Sequence, residues 1–284
     1  YTNNGKWYSI LDKDNKLGPY PHILREENLK YLKNILTSIK NSWKIADIAA
    51  SLQKYFENQI TSYIDFHMKS LSKSSLVLAG GVFANVKLNQ EIYNLKSVSK
   101  IHIHPAMTDA GLGFGAAINV AFEREKFPIS PLKNVFLGPE FSDTEIEKIL
   151  LEFKVEYDKP EDLNKEAARI ISTGKVLARF DGRLEYGPRS LGNRSILYQT
   201  TDKTVNNWLN KKLKRTEFMP FAPVTMEEYF GECYQINGKD INTYNFMTMT
   251  IDCTEEMKKV SPAVVHVDGT ARPQVVNKIN NPEL

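Results

Sequence analysis

The feature that most restricts the fold is an alternation of short apolar runs with helical repeats between residues 74 and 125. The runs SSLVLAGG (74–81) and SKIHIHPAM (99–107) indicate buried strands, and each is followed by apolar residues at helical spacing. Upstream, residues 44–70 carry apolar side chains at the same spacing and predict one long amphipathic helix. Because strands that alternate with helices are typical of α/β proteins, this part of the chain is predicted to be α/β.

A break in composition predicts a domain boundary near residue 130. The stretch KFPISPLKNVFLGPEFSD (126–143) contains three prolines and a glycine, and Ser142 or Asp143 then offers an N-cap. Beyond it, helices are predicted at 160–174, ended by Gly174, and at 202–213, with a strand at 175–182. Residues 261–276 look strand-like around a turn at Asp268-Gly269. We therefore expect two α/β domains, residues 1–130 and 131–284.

The composition of the chain excludes few classes of binding partner. The net charge is +3, which is too close to balance for bulk attraction to nucleic acid or to a membrane surface. No apolar run approaches the roughly 20 residues needed to cross a bilayer, and the start of the chain lacks signal-peptide features. The two cysteines, Cys233 and Cys253, match no metal-binding spacing and predict free thiols in a cytoplasmic protein.

The glycine pair after the first strand admits two interpretations. A strand that ends in Gly80-Gly81 and runs into a helix can let a nucleoside lie against bare backbone. It can equally be an ordinary strand-to-helix turn. Asn85, one helical turn further on, can reach a ribose or simply bond to backbone.

An aspartate occupies the corresponding place after the second strand. Asp109 precedes the glycines and alanines of DAGLGFGAA, where a carboxylate serves as an N-cap, a metal ligand or a neighbour of a phosphate. His102 and His104 alternate along the strand and face one side, but the sequence shows no partner set for them. Structural roles are the simpler interpretation for both histidines.

The stretch GRLEYGPRSLGNRSIL (182–197) is the clearest anion-site candidate. Arg183, Arg189 and Arg194 alternate with glycines and a proline, a mixture that a solvated charged face rarely contains. Glycines let a phosphate approach the backbone, and guanidinium groups donate bidentate hydrogen bonds. Glu185 lies where it can orient one of these arginines.

Two further stretches extend the basic surface. Lys212 and Lys214 precede the rigid MPFAP segment, where they either bind phosphate or complement a helix C-terminus. VVHVDGTARPQ (264–274) places His266, Asp268 and Arg272 around a tight turn. A hairpin explains the Asp-Gly pair, but it does not explain the added histidine and arginine.

The first half resembles a known superfold. DIAASLQ, LAGGVFANVKLNQ and PAMTDAGLGFGAA occur in the order and spacing of the carbamoyl- and threonylcarbamoyl-transferases of the actin-like ATPase superfold, across most of residues 44–120. The resemblance implies that Gly80 and Gly81 form the floor of a nucleotide site, with Asn85 beside it. It also implies that Asp109 holds a divalent metal, typically iron, in the full-length protein.

The second half resembles the YrdC-like domain of the O-carbamoyltransferases of antibiotic and nodulation-factor biosynthesis, which fuse it to an actin-like domain. The resemblance spans nearly all of residues 44–280. It implies that carbamoyl phosphate and ATP are joined into a carbamoyl adenylate, and that the carbamoyl group then passes to a hydroxyl of a small-molecule acceptor. The catalytic residues implied are Arg189, Arg194, His266 and Arg272, and the nucleotide- or phosphate-binding residues are Arg183, Asn193, Lys212 and Lys214.

The sequence also departs from this family pattern. Met219 stands where the family often has an arginine, and Lys214 matches the family lysine only with a one-residue shift, which leaves Lys212 as a rival. The metal-binding His-x-x-x-His pair and a Ser-x-Asn segment of the family are missing, so we expect a fragment. A tRNA threonylcarbamoyl transferase and a non-catalytic nucleotide-binding protein remain alternatives. The sequence allows a homo-oligomer and does not favour a nucleic-acid partner.

Overall fold

The computed structural model describes residues 43–125, 132–214, 220–236, 238–281 and 284, with positions 30, 33–34 and 37–38. The chain divides into two compact units, Tyr1–His67 and Met68–Leu284. None of the helices in the described ranges is long and apolar enough to span a bilayer. The domain boundary expected near residue 130 falls in residues 126–131, outside the described residues, and stays a prediction.

The chain is a mixed α/β protein, as predicted. The helices are α1 Ile45–Ser70, α2 Val86–Tyr93, α3 Leu112–Glu125, α4 Asp143–Glu152, α5 Leu163–Ser172, α6 Val205–Lys212, α7 Phe230–Cys233 and α8 Glu255–Val260. The strands are β1 Ser75–Leu78, β2 Lys100–Ile103, β3 Leu177–Phe180, β4 Arg194–Leu197, β5 Val224–Met226, β6 Ile251–Asp252, β7 Thr270–Ala271 and β8 Gln274–Val276.

Within the described residues the strands form four two-stranded sheets. β1 pairs in parallel with β2, and β5 pairs in parallel with β8. The pairs β3–β4 and β6–β7 are antiparallel. In the first sheet Ser75 lies opposite Lys100 and Leu78 opposite Ile103, so the carboxyl ends of both strands meet at one edge. The glycine pair and the Asp109 loop therefore emerge side by side.

Local signals set most element ends. Ser142 caps α4 in a full capping box with Glu145, and Gly174 follows α5 in a left-handed conformation with φ of +77°. The strand predicted before the Asp268-Gly269 turn is wrong, because Pro262–Val264 form a 3-10 turn. After the turn, β7 pairs with β6 and not with a strand before the turn, so the backbone groups of β7 find partners in residues 251 and 252.

Helix α2 is held against a segment about 150 residues away. Its side chains Leu88 and Ile92 are completely buried. Two of its polar residues, Asn89 and Gln90, are buried as well. Asn89 Nδ2 donates to the Thr248 carbonyl at 2.7 Å, and Thr250 Oγ1 donates to Gln90 Oε1 at 2.7 Å. Buried polar groups that find such partners fix one packing arrangement. The helix that starts behind the glycine pair is thus anchored to the C-terminal half of the chain.

Candidate nucleotide and phosphate site

The backbone at the glycine pair is uncovered. Gly80 N donates to the Met107 carbonyl at 2.6 Å, and His104 N donates to the Leu78 carbonyl at 3.1 Å, so the loops after β1 and β2 are tied together. Gly80 has φ of +112°, a conformation that disfavours any other residue. A Cβ built at either Gly80 or Gly81 meets no atom within 4 Å. The space in front of both glycines is open.

Asn85 serves as the N-cap of α2. Its Oδ1 accepts a hydrogen bond from Leu88 N at 3.1 Å, which satisfies one of the exposed amide groups of the first helical turn. This is the backbone-bonding alternative of the sequence analysis. A contact of Asn85 with a ribose stays a prediction.

Asp109 is exposed and begins a 3-10 turn, Asp109–Gly111, directly before α3. The N-cap position belongs to Thr108. The loop is tightly folded, because a Cβ at Gly111 would lie 2.4 Å from the Ala106 carbonyl oxygen and 3.1 Å from His104 Cδ2. Among the described residues, no group of three or more His, Cys, Asp or Glu side chains is placed to hold a metal ion.

The Asp109 loop, residues 104–111, meets the arginine segment, residues 183–194. His104 Nε2 and Tyr186 Oη share a hydrogen bond at 3.0 Å. Both rings pack with Phe114 of α3, whose centroid lies 5.4 Å from that of His104 and 5.3 Å from that of Tyr186. A Cβ at Gly187 would lie 3.2 Å from the Pro105 carbonyl oxygen, so the two backbones touch here. These two stretches were predicted to lie in different domains, and nothing in their sequences predicts the contact.

Glu185 organises the backbone of the arginine segment. Its Oε1 accepts hydrogen bonds from the backbone N–H groups of Leu191 at 3.0 Å, Asn193 at 2.9 Å and Arg194 at 3.0 Å. The Asn193 side chain is buried and donates to the Arg183 carbonyl at 2.8 Å. Glu185 was predicted to orient an arginine side chain. In the structure its carboxylate instead binds backbone N–H groups and so fixes the path of the main chain from residue 191 to residue 194.

The three arginines are placed differently. Arg183 donates to the carbonyls of Gly138 and Leu137 at 3.0 and 3.2 Å. Arg194 donates from Nη1 and Nη2 to the carbonyls of residues 181, 193 and 182, and its guanidinium stacks 3.7 Å above the Phe180 ring. Arg189 is half-buried and follows the Gly187-Pro188 turn, where Gly187 has φ of +107°. Arg183 and Arg194 therefore brace the loop that carries Arg189.

Two buried amides hold the same loop from the C-terminal side. Gln274 Nε2 and Asn281 Nδ2 both donate to the Leu191 carbonyl, at 2.7 and 3.1 Å. Gly192 has φ of +118°, a backbone conformation that residues with a Cβ rarely adopt, so this position favours glycine. The sequence analysis missed these two residues, and nothing in their spacing marks them.

Lys212 and Lys214 are exposed at the C-terminal end of α6. Lys212 is the last residue of the helix, and Lys214 has φ of +52°, a left-handed conformation typical of a residue just beyond a helix end. This position suits the alternative in which their charges complement the helix dipole. Phosphate binding by either lysine stays a prediction, and Met219 lies outside the described residues.

The turn that carries His266 folds back beside α2. Asp268 Oδ1 accepts hydrogen bonds from Thr270 N at 3.1 Å and from Thr270 Oγ1 at 2.7 Å. Lys87 Nζ of α2 lies 3.5 Å from Asp268 Oδ2. The structure thus brings the His266 turn to the helix behind the glycine pair, and Lys87 is a neighbour that the sequence analysis missed.

The imidazole of His266 stays neutral more readily than a free one. Its Nδ1 lies 3.1 Å from Thr270 Oγ1. Burial lowers the pKa of His266, Arg272 and Lys87 lower it further, and Asp268 opposes them. Half-buried Arg272 is close enough to His266 for their charges to interact. A neutral histidine beside an arginine can accept or relay a proton near an anion.

Comparison with known proteins identifies relatives over most of the chain. The carbamoyltransferase N-terminus model matches residues 23–118, and the carbamoyltransferase C-terminus model matches residues 168–284. An uncharacterized protein of Methanocaldococcus jannaschii is 34% identical, over 98% of this chain and 47% of that protein. Nodulation protein NolO of Bradyrhizobium diazoefficiens is 33% identical, over 98% of this chain and 51% of that protein.

A third relative has a name that states an activity. The 3'-hydroxymethylcephem-O-carbamoyltransferase of Streptomyces clavuligerus is 31% identical, over 74% of this chain and 38% of that protein. The chain therefore spans about half the length, or less, of these curated relatives.

Proposed function

The chain belongs to the carbamoyltransferase family, and on that premise we propose that it is part of an ATP-dependent O-carbamoyltransferase. The observation that carries the proposal is the contact between the open Gly80-Gly81 edge and the arginine segment, made through the Asp109 loop. An adenylate needs a surface for its nucleoside and positive charge for its phosphates, and we assign these roles to the glycine pair and to Arg189.

In the proposed first step, water hydrolyses carbamoyl phosphate to carbamate and inorganic phosphate. A carbamate oxygen then attacks the α-phosphorus of ATP, the α–β phosphoanhydride bond breaks, and pyrophosphate leaves. Negative charge grows on the departing groups, so fixed positive charge and exclusion of water favour the step. We assign Arg189 and Arg272 to these phosphates, with Lys212 or Lys214 as further contacts.

In the proposed second step, a hydroxyl of a small-molecule acceptor attacks the carbamoyl carbon. The bond from that carbon to the adenylate oxygen breaks, AMP leaves, and the hydroxyl proton passes to a base. Burial lowers the pKa of His266, so its imidazole is neutral and can accept this proton. Gly80 and Gly81 would hold the adenosine, and no protein nucleophile is needed.

Two architectural assignments belong to the same proposal. Residues 1–130 would form part of an actin-like domain, and residues 131–284 would form most of a YrdC-like domain. Two carbamoyltransferase models match within this one chain, which supports an O-carbamoyltransferase over a tRNA threonylcarbamoyl transferase. The contacts of Arg183 and Arg194 with carbonyl groups support a shape-holding role for both within that domain.

The family resemblance also implies iron, but the described residues do not fit a metal site. Asp109 is exposed, and no further carboxylate, histidine or cysteine side chains of the described ranges complete a group of three with it. Tight binding of a divalent ion needs several ligands in fixed geometry. No step of the proposal runs through a metal.

Release of pyrophosphate tests the function. The full-length protein is incubated with carbamoyl phosphate and ATP labelled in its γ-phosphate, and labelled pyrophosphate is separated from labelled phosphate. We expect pyrophosphate only when carbamoyl phosphate is present, with inorganic phosphate as the control additive. Label that appears only as phosphate would indicate an ATPase and would contradict the proposal.

A further inference from the structure

The Asp109 loop and the arginine segment are joined by one specific contact. His104 Nε2 and Tyr186 Oη lie 3.0 Å apart, although the two residues are 82 positions apart in the chain. Phe114 packs against both rings, and Gly187 lies against the Pro105 carbonyl directly beside them. The hydrogen bond therefore sits inside a small packed junction.

Both partners are uncharged near neutral pH. Burial lowers the pKa of His104, and the nearby His102 lowers it further. Burial raises the pKa of Tyr186. A neutral imidazole and a neutral phenol offer one donor and one acceptor to each other, so the bond forms without an ion pair. It keeps its strength over a range of salt concentrations, because screening acts on charges.

The junction is stiff on both sides. Gly111 approaches His104 so closely that a Cβ would lie 3.1 Å from Cδ2, which leaves the imidazole little freedom. On the other side, the residue before Tyr186 is Glu185, whose carboxylate accepts three backbone N–H groups of the arginine segment. A displacement of one loop therefore reaches the other through the His104–Tyr186 bond.

We propose that His104 and Tyr186 are positioning residues that couple the Asp109 loop to the arginine segment, so that a ligand bound at either one orders both. The inference rests on the proposed function, since the ligand is taken to be a nucleoside triphosphate. Energetic coupling of this kind is reciprocal, so the same bond orders the arginine segment when the glycine edge is occupied.

Amide hydrogen exchange of the full-length protein tests the coupling. The probe is α,β-methylene-ATP, which cannot release pyrophosphate. In the wild type we expect it to slow exchange in both residues 104–111 and residues 183–194. In Tyr186→Phe the rings still pack but the bond is lost, and we expect the probe to protect one of the two segments less than it does in the wild type. Loss of one neutral hydrogen bond predicts about a fivefold drop in protection of that segment.

A matched variant separates coupling from a general loss of stability. Tyr234→Phe removes a comparable hydroxyl, which bonds to Thr225 Oγ1 at 2.8 Å, far along the chain from both segments. We expect this variant to keep protection in both segments even if its melting temperature falls. If Tyr186→Phe fails to fold, His104→Leu removes the same bond from its other side, because leucine has no hydrogen-bonding group.

The outcomes distinguish the two proposals. If the probe protects no segment of the wild type, the proposed ATP site is contradicted, and the coupling with it. If both segments are protected equally in the wild type and in Tyr186→Phe, only the coupling is overturned. If wild-type protection is confined to one segment, the coupling is overturned while nucleotide binding stands.

Discussion

At the level of single residues, the arginines of residues 183–194 have different roles: some hold the loop in shape, and one is proposed to contact the substrate. Arg183 and Arg194 donate hydrogen bonds to backbone carbonyls. Glu185 accepts hydrogen bonds from three backbone N–H groups on one carboxylate oxygen. These contacts support a structural role for Arg183 and Arg194, and phosphate binding by either arginine stays a prediction. Arg189 is the arginine of this segment that the proposal assigns to substrate.

Replacement of Arg189 by alanine should impair the reaction more than the fold. A charge-assisted contact that strengthens in the transition state is worth roughly 3 kcal/mol, so Arg189→Ala should slow pyrophosphate release by about a hundredfold. Rates and melting temperatures of the full-length variant check this. Arg169→Ala is the control, since Arg169 is exposed and pairs only with Glu166 among the described residues. A melting temperature that falls in proportion to the activity would make Arg189 structural.

Glu185→Gln should destabilise the fold. The amide keeps the shape of the carboxylate but weakens three charge-assisted hydrogen bonds, which predicts a loss of about 2 kcal/mol in the free energy of unfolding. Urea unfolding measures it. Glu147→Gln is the matched control, because Glu147 pairs with Lys159 on the surface, and we expect its urea midpoint to stay close to that of the wild type. Equal midpoints for the two variants would show that Glu185 does not organise the segment.

At the scale of elements, α2 connects the glycine edge with the C-terminal half. Asn85 caps its first turn, and Lys239 caps its last. Lys239 Nζ donates to the carbonyl of Tyr93 at the end of α2 and to the carbonyls of Leu95 and Val98 in the turn that follows. Short helices depend on such tertiary contacts, because eight residues alone are too few to be stable in water.

Lys239→Met should therefore loosen α2 at its C-terminal end. Buried carbonyls that lose a charged donor cost about 2 kcal/mol, and the methionine retains most of the apolar packing over the Tyr93 ring. Hydrogen exchange should accelerate in residues 90–98 while α5 is unchanged. Lys258→Met serves as the control, since Lys258 pairs with exposed Glu255. Unchanged exchange in residues 90–98 would contradict the capping role.

For the molecule as a whole, two half-buried histidines link the free energy of unfolding to pH. Burial lowers the pKa of both His104 and His266 below the ordinary value of about 6.5. The two side chains lie at the two contacts that bring the predicted motifs together, beside Tyr186 and beside Thr270. Protonation of either one therefore works against the folded arrangement of the site.

Stability should decrease as the pH falls below about 6.5. In that range the unfolded chain binds protons that the folded chain does not, so the free energy of unfolding drops until the pH reaches the lowered pKa values. Urea midpoints at pH 7.5, 6.5 and 5.5 measure the slope, and His104→Gln should make it shallower. A midpoint that is constant from pH 7.5 to 5.5 would show that neither histidine is kept neutral by the fold.

Local structure was readable from the sequence in most places. The long helix α1, the strand-helix alternation after it, the cap at Ser142 and the stop at Gly174 all follow from periodicity and from backbone rules that act within a few residues. The family was equally visible, because its motifs are contiguous stretches. The strand expected before Asp268 failed, since strand formation depends on a partner that local sequence does not name.

The order of residues is enough to predict the mixed α/β elements and the candidate residues, but how those residues meet depends on the tertiary structure. It placed His104 against Tyr186 and Lys87 beside Asp268, and it set two buried amides on the Leu191 carbonyl. It also turned Arg194 inward onto Phe180. The physical reason is that a side chain's partner is set by packing between distant segments, whereas its chemical type alone leaves bracing and binding equally open.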